Sequence, residues 1–115
     1  MKVSRNGQYD LENRTFDFAK NVRAFSKQLQ KTLANIEDTK QVVRASGSVG
    51  ANYIEANESL SKKDFLMRIK ICRKEAKESG YWLRLIDTGE NSTVEQHRGD
   101  LVREATELTS ILALF

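Results

Sequence analysis

The stretch SKKDFLMRIKICRKEAKESGYWLRLID, residues 61–87, decides the fold. Phe65, Ile69, Cys72, Ala76, Ser79, Leu83 and Ile86 recur at alternating steps of four and three. That spacing keeps side chains on one stripe of an α-helix packed against other helices. At about 100° per residue, Lys63, Lys70, Arg73, Lys74, Lys77 and Arg84 gather on one flank, and Asp64, Glu75 and Glu78 on the other. Met67, Ile71, Trp82 and Leu85 fall nearly opposite the core stripe, where a monomeric bundle shows water only polar groups. A second packing partner, another subunit, is expected on those four residues. Ser61-Lys62-Lys63-Asp64 opens the helix as a capping pattern, and Gly89 is its expected stop.

The same rhythm extends in both directions. Upstream, a second helix is expected to open at Asn35, with Asp38 in its first turn, and to bury Val42, Ala45, Val49, Tyr53, Ala56 and Leu60. Gly47 and Gly50 lie inside it, at a cost on the order of 2 kcal/mol against alanine. Their presence points to a kink or, preferably, to a neighbouring backbone too close for side chains. Ser48, Asn52, Glu55 and Ser59 form a polar edge beside the stripe, to be satisfied by one another, by a helix end or by a basic neighbour; a ligand is the lesser reading. A first helix, starting near Asn13 to Thr15, has Phe18, Val22, Phe25, Leu29 and Leu33 as its buried stripe. Lys20, Arg23, Lys27 and Lys31 stack on its far side over about 16 Å. A fourth helix opens at the capping box Ser92-Thr93-Val94-Glu95 and buries Leu101, Ala105, Leu108, Leu112 and Phe115. Its apolar finish, Ile111 to Phe115, needs cover from the bundle or a neighbouring subunit.

Composition agrees with an all-α protein. The 115 residues include no proline and six glycines, and 30% are charged, which disfavours a sandwich or barrel. Residues 1–12 lack periodicity and read as a tail, ordered at most near Tyr9 and Leu11, with residues 13–115 as one domain. The short connections expected near Leu33 to Asn35, Leu60 to Ser61 and Gly89 to Ser92 imply an antiparallel up-down four-helix bundle. No apolar run reaches signal-peptide or membrane-span length, so a soluble, cytoplasmic chain without membrane partners is expected. The single cysteine, Cys72, lies on the core stripe and reads as a small buried hydrophobe.

Groups for catalysis are scarce. His97, the one histidine, sits off the fourth helix's stripe and reads as a surface residue rather than a base for a nucleophile. Glu75 with Glu78, and Glu104 with Glu107, have helical spacing but lack the histidines of a carboxylate-bridged metal site and read as solvated or salt-bridging faces. There is neither a phosphate loop nor a zinc spacing. The expectation is no enzyme, no cofactor and no metal.

Ser48-Val49-Gly50-Ala51-Asn52-Tyr53-Ile54-Glu55-Ala56 resembles the signature segment of the bacterial 23S rRNA intervening-sequence proteins, also called four-helix-bundle proteins. Ser48, Ala51, Asn52 and Glu55 carry the motif. Lys63-Asp64-Phe65 and Glu75-Ala76-Lys77-Glu78-Ser79-Gly80-Tyr81-Trp82-Leu83 are similar to the family's third-helix pattern. The resemblance runs from about Phe16 to Phe115. The common family version has a proline and a terminal glycine where this chain has Gly50 and Ala56. The family is related to the accessory variability proteins of diversity-generating retroelements. The resemblance therefore implies RNA or DNA binding, or a reverse transcriptase partner, and a ring-like homo-oligomer, a pentamer.

Charge distribution leads to the same expectation by another route. The net charge of +3 is modest, but residues 13–33 and 61–84 are strongly basic while 35–59 and 92–115 are mildly acidic. The rows Lys20, Arg23, Lys27, Lys31 and Lys63, Lys70, Arg73, Lys74, Lys77, Arg84 suit phosphate contacts with little sequence preference. In a square bundle the first and third helices lie on a diagonal, so joining these rows into one surface requires another packing or subunit assembly. Tyr81 and Trp82 could stack on bases, though packing at a subunit contact is the favoured reading. The competing expectation is an oligomeric scaffold whose basic faces are solvated or paired with acidic neighbours.

Overall fold

Four helices build the chain in a computed structural model that describes residues 11–115: α1 (Leu11–Ser26), α2 (Leu33–Asn57), α3 (Lys62–Leu85) and α4 (Ser92–Leu112). The expected tail, residues 1–12, lies outside the described residues up to position 10, Tyr9 included; Leu11 and Glu12 already belong to α1. α1 packs on α2 and α4, and α3 on α2 and α4, leaving α1 and α3 on a diagonal. Asn35, Arg44 and Asn52 of α2 meet Asp87, Glu75 and Arg68 in turn. Sequence number rises along α2 as it falls along α3, the order of antiparallel neighbours.

The stripes read from sequence form the core. Ile69, Cys72, Ala76, Ser79 and Leu83 of α3 are buried, together with Val42, Ala45, Val49, Tyr53 and Ala56 of α2. Phe18, Val22 and Phe25 of α1 and Leu101, Ala105, Leu108 and Leu112 of α4 complete it. The Ser61 hydroxyl accepts the Asp64 amide at 3.1 Å and caps α3 as its sequence implies. α2 runs unbroken through both glycines. Gly50 lies against α1: a Cβ there would stand 3.0 Å from the Thr15 hydroxyl oxygen, so close approach is the reason for that glycine.

Helix ends depart from the sequence expectation. α1 stops at Ser26, whose hydroxyl donates back to the Arg23 carbonyl at 2.6 Å, and α2 begins at Leu33 because Thr32 accepts the Asn35 amide. Leu29 therefore packs on the core from a loop, and Leu33 is 81% exposed. Asn35 is not the cap. Its buried side-chain amide donates to the carbonyls of Gln30 and Asp87, and its oxygen accepts the Asp87 amide. Leu60, beyond the close of α2 at Asn57, is fully exposed rather than core.

α3 ends at Leu85, four residues before Gly89, with Ile86 extended and buried as its C-cap. Arg98 of α4 donates to the carbonyls of Leu83, Arg84 and Ile86, which α3 leaves unpaired. Gly89 and Glu90 both adopt positive φ and turn the chain into Asn91. Asn91, not Ser92, caps α4 by accepting the Val94 amide, and Glu95 turns to Thr88 and Arg98 instead of closing a capping box. Phe115, expected on the buried stripe of α4, lies beyond the helix end at Leu112 and is half exposed, its ring edge-on to Phe65 at 5.8 Å, and Leu114 is 84% exposed.

Candidate nucleic-acid interface

α3 positions the candidate site because its buried stripe fixes which side faces outward. Lys63, Lys70, Arg73, Lys74, Lys77 and Arg84 are all exposed. None of them joins an ion pair among the described residues. Lys70, Arg73, Lys74 and Lys77 line one shallow groove with Glu78 and Tyr81. Tyr81 is half exposed, and its ring meets Trp82 edge-on at 5.0 Å and 78°.

Two of the helix's carboxylates, Glu75 and Glu78, lean toward α2. Glu75, expected on a solvated or salt-bridging face, is buried and forms an ion pair with Arg44 of α2. Its Oε1 lies 3.5 Å from the Arg44 guanidinium without a hydrogen bond, and Glu78 lies 3.9 Å from the same group. Arg44 thus holds two negative charges at the α2 seam, and among the described residues the outward row of α3 has no ion pair with either of them.

The cations around the first helix do not form the expected single row. Lys20 and Arg23 lie on α1, where Arg23 donates to the Ala19 carbonyl and rests over Gly47. Lys27 and Lys31 fall in the α1–α2 connection, where they line a separate depression with Lys40. The break follows from Ser26 and Thr32 ending one helix and starting the next. The α1 cations and those of α3 occupy opposite corners of the bundle.

Of the residues expected to meet another subunit, Met67 and Leu85 are exposed, at 53% and 51%, whereas Ile71 and Trp82 are half-buried and Trp82 packs on the core. The motif residue Asn52 donates to the carbonyl and hydroxyl oxygens of Ser48 and accepts from Arg68 at 3.0 Å. A basic neighbour from α3 therefore satisfies this edge, while Ala51 and Glu55 face outward. Glu104 and Glu107 both clasp Arg14 across the α1–α4 seam, at 2.7 and 2.6 Å. The hydrogen bonds that Arg14 donates to Glu104, and then to Glu107, raise its pKa. His97 is half-buried with Nδ1 2.9 Å from the Gln28 side-chain oxygen. Burial pushes the Cys72 thiol up to about 11. Among the described residues no three metal-ligating side chains gather, and no helix is long and apolar enough to cross a membrane.

The sequence reading missed Arg44, Arg68, Arg14 and Asn35 as organising residues. Each acts through a partner on another helix or loop, as far as 93 positions away for Arg14 and Glu107. Tyr81, raised from sequence as a stacking candidate but read in favour of a subunit contact, follows Lys74 and Lys77 by seven and four residues on the outward face.

The sequence pattern of the 23S rRNA-intervening sequence proteins matches residues 8–113. The chain belongs to this family. A crystal structure of a protein of unknown function from the S23 ribosomal protein family of Bacteroides thetaiotaomicron superposes with a TM-score of 0.75. It is 27% identical, and the match covers 90% of this chain and 94% of that one. No curated protein matches the chain. Of the groove residues of this intervening-sequence family member, Lys77, Glu78 and Tyr81 lie in the third-helix segment that resembles the family pattern, and Lys70, Arg73 and Lys74 lie between its two parts.

Proposed function

We propose that this intervening-sequence family protein is a non-catalytic RNA-associating accessory protein, acting as a homo-oligomer and holding phosphates on the outward face of α3. One observation carries this reading: Lys70, Arg73, Lys74 and Lys77 line a groove on one helix and join no ion pair among the described residues. Such a face releases counterions when it meets a phosphate backbone, giving affinity with little sequence preference. The family's name, which refers to 23S rRNA, supports RNA over other polyanions.

The test is fluorescence anisotropy of a labelled RNA hairpin and a matched DNA hairpin. With four phosphate contacts, binding falls about 50-fold to about 150-fold between roughly 50 and 200 mM salt, the lower figure for contacts to unpaired strand and the upper for contacts to duplex. The double variant Arg73→Glu, Lys77→Glu abolishes binding and leaves the helical circular dichroism intact. Unchanged binding, or none by the parent protein at low salt, refutes the reading.

Exposed Met67, Leu85, Leu60 and Leu114 favour a second reading, an oligomeric scaffold that binds proteins only. Under that reading the charge reversals alter assembly or nothing, and sedimentation separates the two. A stable monomer at micromolar concentration removes the oligomer from both.

A further inference from the structure

We infer that the groove of α3 takes an unpaired RNA strand and stacks one of its bases on Tyr81; this rests on the RNA-binding reading above. Lys70, Lys74, Lys77 and Tyr81 follow one another in steps of four, three and four residues, so three cations and a ring stand along about 16 Å of one helix face. Tyr81 is half exposed, and its hydroxyl has no hydrogen bond among the described residues. Trp82 holds the ring from behind: it packs on the core and meets Tyr81 edge-on, which leaves a face of the tyrosine toward the groove it helps to line. A ring fixed at the end of a cationic row is the arrangement on which a splayed base stacks while its backbone follows the lysines.

Duplex RNA does not suit this surface. Its bases are stacked on each other and its major groove is too deep and narrow for side chains to read, so a duplex offers α3 phosphates but no free base face. Glu78, the one carboxylate lining the groove, lies 3.9 Å from the Arg44 guanidinium, which offsets its charge.

The test compares Tyr81→Ala and Tyr81→Phe with the parent protein. The probes are a uridine-rich RNA of about 12 nucleotides, a duplex of equal length, and heparin as a polyanion without bases. The expected result is about 10-fold weaker binding of the unpaired RNA by Tyr81→Ala, near-parental binding by Tyr81→Phe, and less than twofold change for duplex and heparin. Trp82, the sole tryptophan, reports independently: its emission changes with the unpaired RNA and not with heparin. Equal losses on all three probes, no loss on any, or a parental preference for duplex overturns the inference while leaving phosphate binding intact. If the parent protein binds none of the probes at low salt, the RNA-binding reading itself fails.

Discussion

Arg44 of α2 and Glu75 of α3 stand 3.5 Å apart, the carboxylate buried and the guanidinium half in water. The pair is asymmetric: Arg44 can swing into solvent at little cost, whereas Glu75 has nowhere to go. Arg44→Ala therefore strands a buried charge and destabilises the fold by about 2 kcal/mol, below the 3–5 of a fully buried pair because one partner is exposed. Glu75→Met in the same background restores most of that loss. Urea denaturation of the two single variants and the double variant measures both effects.

Gly50 and Gly99 respond to alanine in opposite directions. At Gly50 the new methyl meets a Thr15 hydroxyl already locked to the carbonyls of Leu11 and Glu12, so the gain in helix propensity is lost to overpacking and stability falls by about 1–2 kcal/mol. Thr15→Ala relieves the clash, which a double-mutant cycle detects as a favourable coupling. At Gly99 nothing lies within 4 Å, and alanine adds roughly 0.5–1 kcal/mol.

Asn35 ties the start of α2 to the turn after α3 with both ends of its amide. Asn35→Asp keeps the acceptor for the Asp87 amide and loses both donors, leaving two carbonyls unsatisfied beside a new negative charge. A loss of about 2–3 kcal/mol is expected. Hydrogen exchange at the Asp87 amide accelerates in this variant before exchange in the centre of α3 does.

Glu95 confers an acid-sensitive contribution at the same end of the bundle. Hydrogen bonds from Arg98, and then from Thr88, hold its carboxyl below the usual carboxylate range. A lowered folded-state pKa means that the unfolded chain takes up the proton first as pH falls. The contribution is therefore complete above the unfolded carboxylate value and disappears as pH drops through the folded one. The parent protein melts higher than Glu95→Gln at neutral pH, and the gap narrows toward pH 3. Arg98→Met removes the pH-dependent gap and also exposes the α3 carbonyls, so it melts lower at every pH.

What local chemistry encodes was legible without a structure. The stripes Val42 to Ala56 and Ile69 to Leu83 are buried as their spacing requires, and Ser61 caps α3, because a helix's buried face and its first turn are set by neighbours three or four residues away. The outward row from Lys63 to Arg84 follows from the same geometry. Tertiary contacts decided the rest. Asn35 had the composition of a cap, but an amide and a carbonyl 52 positions away drew it inward and left capping to Thr32. Glu75 read as solvated or salt-bridging, and packing against α2 buried it and supplied Arg44 as the partner that spacing could not name. Ser26 and Thr32 divided a cationic row that periodicity alone joined, and the diagonal placement of α1 and α3 kept its halves away from the groove. Sequence spacing specifies the face on which a side chain stands. Which partner meets that face, and where competing hydrogen bonds end the helix, depends on residues that only folding brings together.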